Sequence, residues 1–170
     1  ARDPAKYASL PDDPLAGPDA ALALFAADYA SKVKPGLIDT PTDRQKLLTE
    51  VGAWARAAKK SRGRVEWTIE VKEVVPDPLK GGGNVRFAVV NAVDKRPYSD
   101  LILTQPISHG QMRTMTDNPD HKHWKLVGVF SADAKVNKDL ESPETTPMFI
   151  GVFAEMSTTL TVQTLTPIGG

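Results

Sequence analysis

An α+β fold, two N-terminal helices followed by a five- or six-stranded antiparallel barrel, is what this 170-residue sequence predicts. Three observations predict it. Apolar residues recur at helical spacing in the first third of the chain. From Arg64 onward the apolar period changes from 3.6 to 2. Alternating segments then succeed one another, separated by turns bearing Gly, Pro, Asn and Asp, with no internal repeat. The composition, 41% hydrophobic and 25% charged, is that of a chain able to bury a sizeable core. The expected organisation is a flexible arm over 1–16, a helical pair over 17–62 and a barrel over 63–168, the last two forming one compact unit.

Each element has a local reason. The arm "ARDPAKYASLPDDPLA" holds three prolines and no periodic apolar face. In "GPDAALALFAADYASKVKPG", Gly17 serves as a cap, Pro18 suits the first helical position and Pro35-Gly36 ends the segment. Leu22, Phe25, Tyr29 and Val33 form its apolar stripe. The second helix is better signed. Thr40 is the N-cap, Pro41 the first helical residue, and Asp43 the acidic partner three positions on. Leu47, Leu48, Val51, Trp54 and Ala58 share one face. Lys59, Lys60 and Arg62 gather where cations favour the helix dipole, and Gly63 stops the run.

In "VEWTIEVKEVV", Val65, Trp67, Ile69 and Val71 alternate with Glu66, Thr68, Glu70 and Lys72, which marks a strand with one buried face. Strict alternation would then turn Glu73 inward and Val74 outward. A bulge near Lys72 and Glu73 resolves the conflict. "PDPLKGGGN" reads as a turn, "VRFAVVNAV" and "LILTQPI" as strands, and "SHGQMRTMTDNPD" as an irregular or one-turn-helical connection. "HWKLVGVFSADAKV" is the next strand and "NKDLESPETTP" a long polar loop. "MFIGVFAEM" and "TLTVQTLTPI" close the chain as a hairpin around Glu155–Thr158.

A sheet of this size must hide its edges or close. A long, bent first strand serving both halves of a small barrel is how an oligonucleotide/oligosaccharide-binding (OB) barrel closes. "VEWTIEVKEVV", a glycine turn, "VRFAVV" and later "WKLVGVF" resemble the tRNA-anti-like OB-fold domains, over roughly residues 64–168. The segment "MFIGVFAEM" departs from a minimal five-stranded barrel and leaves room for an open barrel or a two-layer sandwich. The resemblance implies a binding face on the second and third strands and no enzyme activity.

Several stretches bear on chemistry. His121 and His123 are two apart, a spacing that on a strand points both to one side, and His109 is the only other histidine. With Asp117 and Asp120 nearby, three imidazoles suit a zinc or similar site. The alternative is a polar turn leading into a strand, with Trp124 and Leu126 packed inward. "KKSRGR", residues 59–64, holds four cations in six positions. It reads as a helix end and solvated linker, with phosphate contact as the alternative. "KGGGN", residues 80–84, is similar to a phosphate-cradling loop but lacks the Lys-Ser/Thr ending and the following helix, so a hairpin turn is the expectation. Trp54 and Trp67 lie in apolar stripes and belong to the core. Arg86, Tyr98 and Trp124 are the candidate ligand-binding residues, the two aromatic ones at strand edges where a ring can stack a sugar or base. Ser108 and His109 are adjacent and point apart, and Glu66 and Glu70 fall on a solvated face.

Twenty-one basic residues balance 21 acidic ones, against the basic excess of a dedicated nucleic-acid binder. There is no cysteine, which removes disulfides, thiol catalysis and thiolate metal sites. No apolar run approaches a membrane span. The chain begins at Ala1 rather than Met, which suits an exported, periplasmic bacterial protein after removal of a signal segment; the cytoplasm is the alternative. The resulting expectation is a non-enzymatic binding module without cofactor, taking a protein or an oligosaccharide in preference to nucleic acid. A metal-dependent enzyme using His109, His121 and His123 is the second reading. A structural subunit that self-assembles or joins an envelope complex is the third.

Overall fold

The computed structural model describes residues 3–142 and 146–169. Part of the polar loop expected over 137–147, residues 143–145, lies outside them, as do residues 1, 2 and 170. Helices α1 (Pro18–Lys32) and α2 (Pro41–Ala57) precede strands β1 (Ser61–Pro76), β2 (Gly83–Val90) and β3 (Leu103–Ile107). Helix α3 (His109–Thr116) leads to β4 (His123–Val136), β5 (Phe149–Gly151) and β6 (Ala154–Pro167). The fold class is therefore α+β, helices followed by a six-stranded antiparallel sheet in the order β3-β2-β1-β4-β6-β5. Among the described residues, no helix is long and apolar enough to cross a membrane.

The chain divides into two compact units. One comprises Ala1–Pro11, Gly63–Phe130 and Leu160–Gly170, the other Asp12–Arg62 and Ser131–Thr159. Residues 17–62 share the second unit with residues 131–159.

In the first unit, Val65, Trp67 and Ile69 of β1 are buried, and Trp67 meets Phe130 edge-on at 4.9 Å. The pairing of β1 with β2 runs regularly from Thr68↔Val90 to Val71↔Phe87, then slips, so that Glu73 faces Arg86 and Val74 faces Val85. Lys72 is the extra residue. The bulge restores the inward phase for Val74, as its clash with strict alternation requires. The Asp77 side chain accepts from the N–H of Leu79 and Lys80, and Gly81 has φ +81°, a conformation glycine adopts without a Cβ penalty. The stretch "KGGGN" is thus part of a hairpin connection.

Strand β2 does not show the expected one-faced burial, since Phe87, Ala88, Val89 and Val90 are all buried. The N-terminal arm contributes to this unit. Ala8 is buried and its N–H donates to the carbonyl of Pro97, which itself bridges to Val90. Lys6 pairs with Asp100 at 3.4 Å, and Arg96 donates to the Pro4 carbonyl. The connection expected to be irregular or one-turn-helical is the two-turn helix α3. Its Ser108 side chain accepts from Gln111 N–H while the Gln111 side chain accepts from Ser108 N–H, a reciprocal capping box. Two side-chain amides then reach β6: Gln105 donates to the Leu160 carbonyl (2.8 Å) and Gln111 to that of Val162 (3.2 Å).

In the second unit, Thr40 caps α2 by accepting from Asp43 N–H, and Leu47, Val51 and Trp54 are buried. Phe25 and Tyr29 of α1 meet Trp54 edge-on, at 6.5 and 5.2 Å. The Tyr29 hydroxyl donates to the Val152 carbonyl (2.8 Å), and its ring covers Gly151 so closely that a Cβ there would sit 2.3 Å from Cε1. The last hairpin turns at Val152 and Phe153, with Gly151 opposite Ala154, and not around Glu155–Thr158. Phe153 takes φ +63° despite its side chain. Tertiary contacts hold it there: its N–H donates to Leu140, its carbonyl accepts from Asn137, its ring is buried, and the Arg44 guanidinium lies 4.9 Å over that ring.

Candidate ligand cleft

One well-formed concavity lies wholly within the second unit. It is an open cleft of about 520 Å³, bounded by the turn at residues 13–15, one face of α1 and the passage from α2 into β1. Local sequence builds each wall. The Asp13 side chain accepts from Leu15 N–H and, with Pro14 next, starts a single 3-10 turn. From α1, the exposed Leu24 (37%) and the largely buried Phe25 line the cleft. Helix α2 ends where Ala58 becomes extended (φ −64°, ψ 134°), its N–H still bonded to the Trp54 carbonyl. Lys59, Lys60, Ser61 and Arg62 then run along the rim.

The charges in this cleft are not balanced. Lys32 holds Asp28 in an i,i+4 pair at 2.9 Å, and Trp54 Nε1 donates to the same carboxylate (3.0 Å). Lys32, opposed by burial and assisted by Trp54, keeps the Asp28 carboxyl below its usual range. Asp13 is committed to its own turn. Lys59, Lys60 and Arg62 are exposed, and no carboxylate lies within ion-pair distance of them among the described residues. The cleft therefore offers an apolar wall beside cations free to accept an anion. Its volume is in the range of small-ligand and peptide side-chain sites.

The residues singled out from sequence fall elsewhere, in the first unit. Arg86 is exposed and pairs with Glu73 across the bulge at 3.3 Å. Tyr98 and Trp124 are buried, at 8% and 1% exposure, and Trp124 Nε1 donates to the His121 carbonyl. The three histidines are not brought together. His109 begins α3, with Nδ1 at 2.5 Å from the Gly81 carbonyl. His121 precedes β4 in a turn, edge-on to Trp124 at 6.4 Å, so the two-residue alternation of a strand does not relate it to His123. His123 is in β4, and its Nε2 is buried without a hydrogen-bond partner. Among the described residues, no three or more His, Asp or Glu side chains gather into a metal-holding group.

Two features escaped the sequence reading. Lys59, Lys60, Ser61 and Arg62, expected as a helix end and solvated linker, line the rim of a cleft. Glu70, read as solvated, is only 9% exposed and is clasped by Lys72 (2.6 Å) and Lys122 (2.9 Å). Burial pushes its pKa up, but the two lysines outweigh burial and the net shift is downward. No known protein family matches the chain, and neither a curated protein nor a solved structure matches it.

Proposed function

We propose that this chain is a non-enzymatic binding module for a protein partner, and that the partner is held at the cleft of the second unit. One observation carries the reading: an apolar wall of Leu15, Leu24 and Phe25 stands beside Lys59, Lys60 and Arg62, which have no carboxylate partner among the described residues. Such a surface favours an acidic segment carrying an apolar side chain. The long β1, sixteen residues with a bulge, is the feature that supports the OB-like resemblance. The partner is assigned to the cleft because that is where an apolar wall and cations without a carboxylate partner among the described residues lie side by side. Export belongs to the same proposal, and cell fractionation tests it.

Fluorescence anisotropy with a labelled acidic peptide bearing one leucine tests the binding claim. Affinity is expected to fall with salt. The double variant Lys59→Glu, Arg62→Glu is expected to weaken it about tenfold, because each exposed pair is worth roughly 0.2–1 kcal/mol and reversal substitutes repulsion for attraction. Peptide binding indifferent to the variant would refute the site. Binding of a neutral oligosaccharide or a single-stranded oligonucleotide, without the peptide, would refute the partner class.

A further inference from the structure

A second depression adjoins the cleft. It measures about 410 Å³ and lies between the C-terminal half of α2 and residues 133–136 of β4, all within the second unit. Ala58 and Lys60 line both concavities, so they form the ridge between them. Lys135 there is paired with Asp133 at 3.1 Å. Arg56 is exposed and has no carboxylate partner among the described residues, and its guanidinium nitrogen lies over Gly52, 3.4 Å from where a Cβ would be. Val136, 41% exposed, adds an apolar spot. Four cations without a carboxylate partner among the described residues, Arg56, Lys59, Lys60 and Arg62, thus line the two concavities on a chain whose net charge is zero.

We infer that the two concavities act as one groove, and that its occupant is an extended acidic segment of a partner protein, with an aliphatic side chain against Leu24 and carboxylates over Lys60 and Arg56. The inference rests on the cleft reading above and extends it to the length and chemistry of the ligand. A compact ligand filling the first cleft leaves Arg56 unused, whereas an extended chain crossing Lys60 meets all four cations. An aliphatic anchor suits Leu24 and Val136. Nucleic acid is disfavoured because the only aromatic residue lining either concavity is Phe25, which is 8% exposed and offers no platform for a base.

Anisotropy with a six-residue and a fourteen-residue labelled peptide of the same acidic, leucine-bearing composition tests it, with a single-stranded oligonucleotide alongside. The long peptide is expected to bind about two- to fivefold tighter than the short one, through the added ion pair with Arg56. Arg56→Glu should abolish that gain and leave the short peptide unchanged, while Lys59→Glu should weaken both. Thermal melts of these surface variants confirm that they remain folded. Equal affinity for the two lengths, with Arg56→Glu silent, would overturn the groove and leave the cleft reading intact. Failure of both peptides and of the oligonucleotide to bind would overturn the two together. Oligonucleotide binding lost on Arg56→Glu, without peptide binding, would keep the groove and overturn its occupant.

Discussion

Replacing Gly151 by alanine is expected to disturb the second unit by a calculable amount. The new methyl would lie 2.3, 2.6 and 2.7 Å from three ring carbons of Tyr29, distances no real Cβ contact shows. The ring is 5% exposed, is wedged edge-on against Trp54 at 5.2 Å, and is tethered by its hydroxyl to Val152 at 2.8 Å. It cannot retreat without giving something up. Overpacking of this kind costs about 1–3 kcal/mol, and loss of the hydroxyl bond adds about 1 kcal/mol. The expected destabilisation is therefore about 2–4 kcal/mol, or a fall in Tm of about 4–16 °C for a chain of this size. Urea unfolding read by Trp fluorescence measures it. The decisive control is the same substitution in a Tyr29→Ala background, where the ring is gone and Gly151→Ala should cost less than about 0.5 kcal/mol. An equal penalty in both backgrounds, or none in the wild type, would refute the argument from ring contact.

Three further outcomes are expected. Glu70→Gln should cost about 1 kcal/mol at pH 7, the lysine partners being largely exposed. Because the folded Glu70 pKa lies below its ordinary 4.5, wild type should hold that advantage above this pH and lose it as the pH falls through the folded value, which a series of urea midpoints between pH 3 and 7 checks. Burial lowers the pKa of His123, opposed by Glu70 and supported by Lys122, Lys95 and Lys72, so the unfolded chain takes up this proton first and stability should drop as the pH falls below about 6.5. His123→Leu should flatten that limb and cost little at pH 8, since the buried Nε2 has no hydrogen bond to lose; an unchanged limb would show that another group titrates. Arg44→Ala should destabilise by about 1–2 kcal/mol, as it removes a bond to the Lys138 carbonyl, the pair with Glu141 and the contact over Phe153. Arg44→Lys should recover only part of this in thermal melts, because an ammonium lacks the planar fork.

Features decided by neighbours in sequence were legible in the sequence. The α2 start follows from Thr40, Pro41 and Asp43, and the β1 bulge from the phase conflict at Glu73 and Val74. The capping box Ser108-x-x-Gln111 was equally local, and reading it would have identified α3. The last turn was not legible in this way. Val152 and Phe153 carry no Gly, Asn or Pro signal, and Phe153 keeps its positive φ through bonds to Asn137 and Leu140. Glu70 looked solvated because its burial depends on Lys122, fifty-two positions away. The cleft depends on the meeting of residues 13–15, α1 and the end of α2, which no single periodic pattern reports. Trp124 was placed at a ligand-accessible strand edge; the structure turns it inward, as the competing polar-turn reading had it.

A peptide titration followed by amide NMR tests the binding claim most directly. With a labelled chain and an unlabelled acidic, leucine-bearing peptide, saturable shifts are expected at residues 13–15, 24–25 and 56–62, moderated by added salt. Saturable shifts confined to residues 83–90 and 103–107 would instead locate the partner on β2 and β3 and contradict the cleft as the binding site.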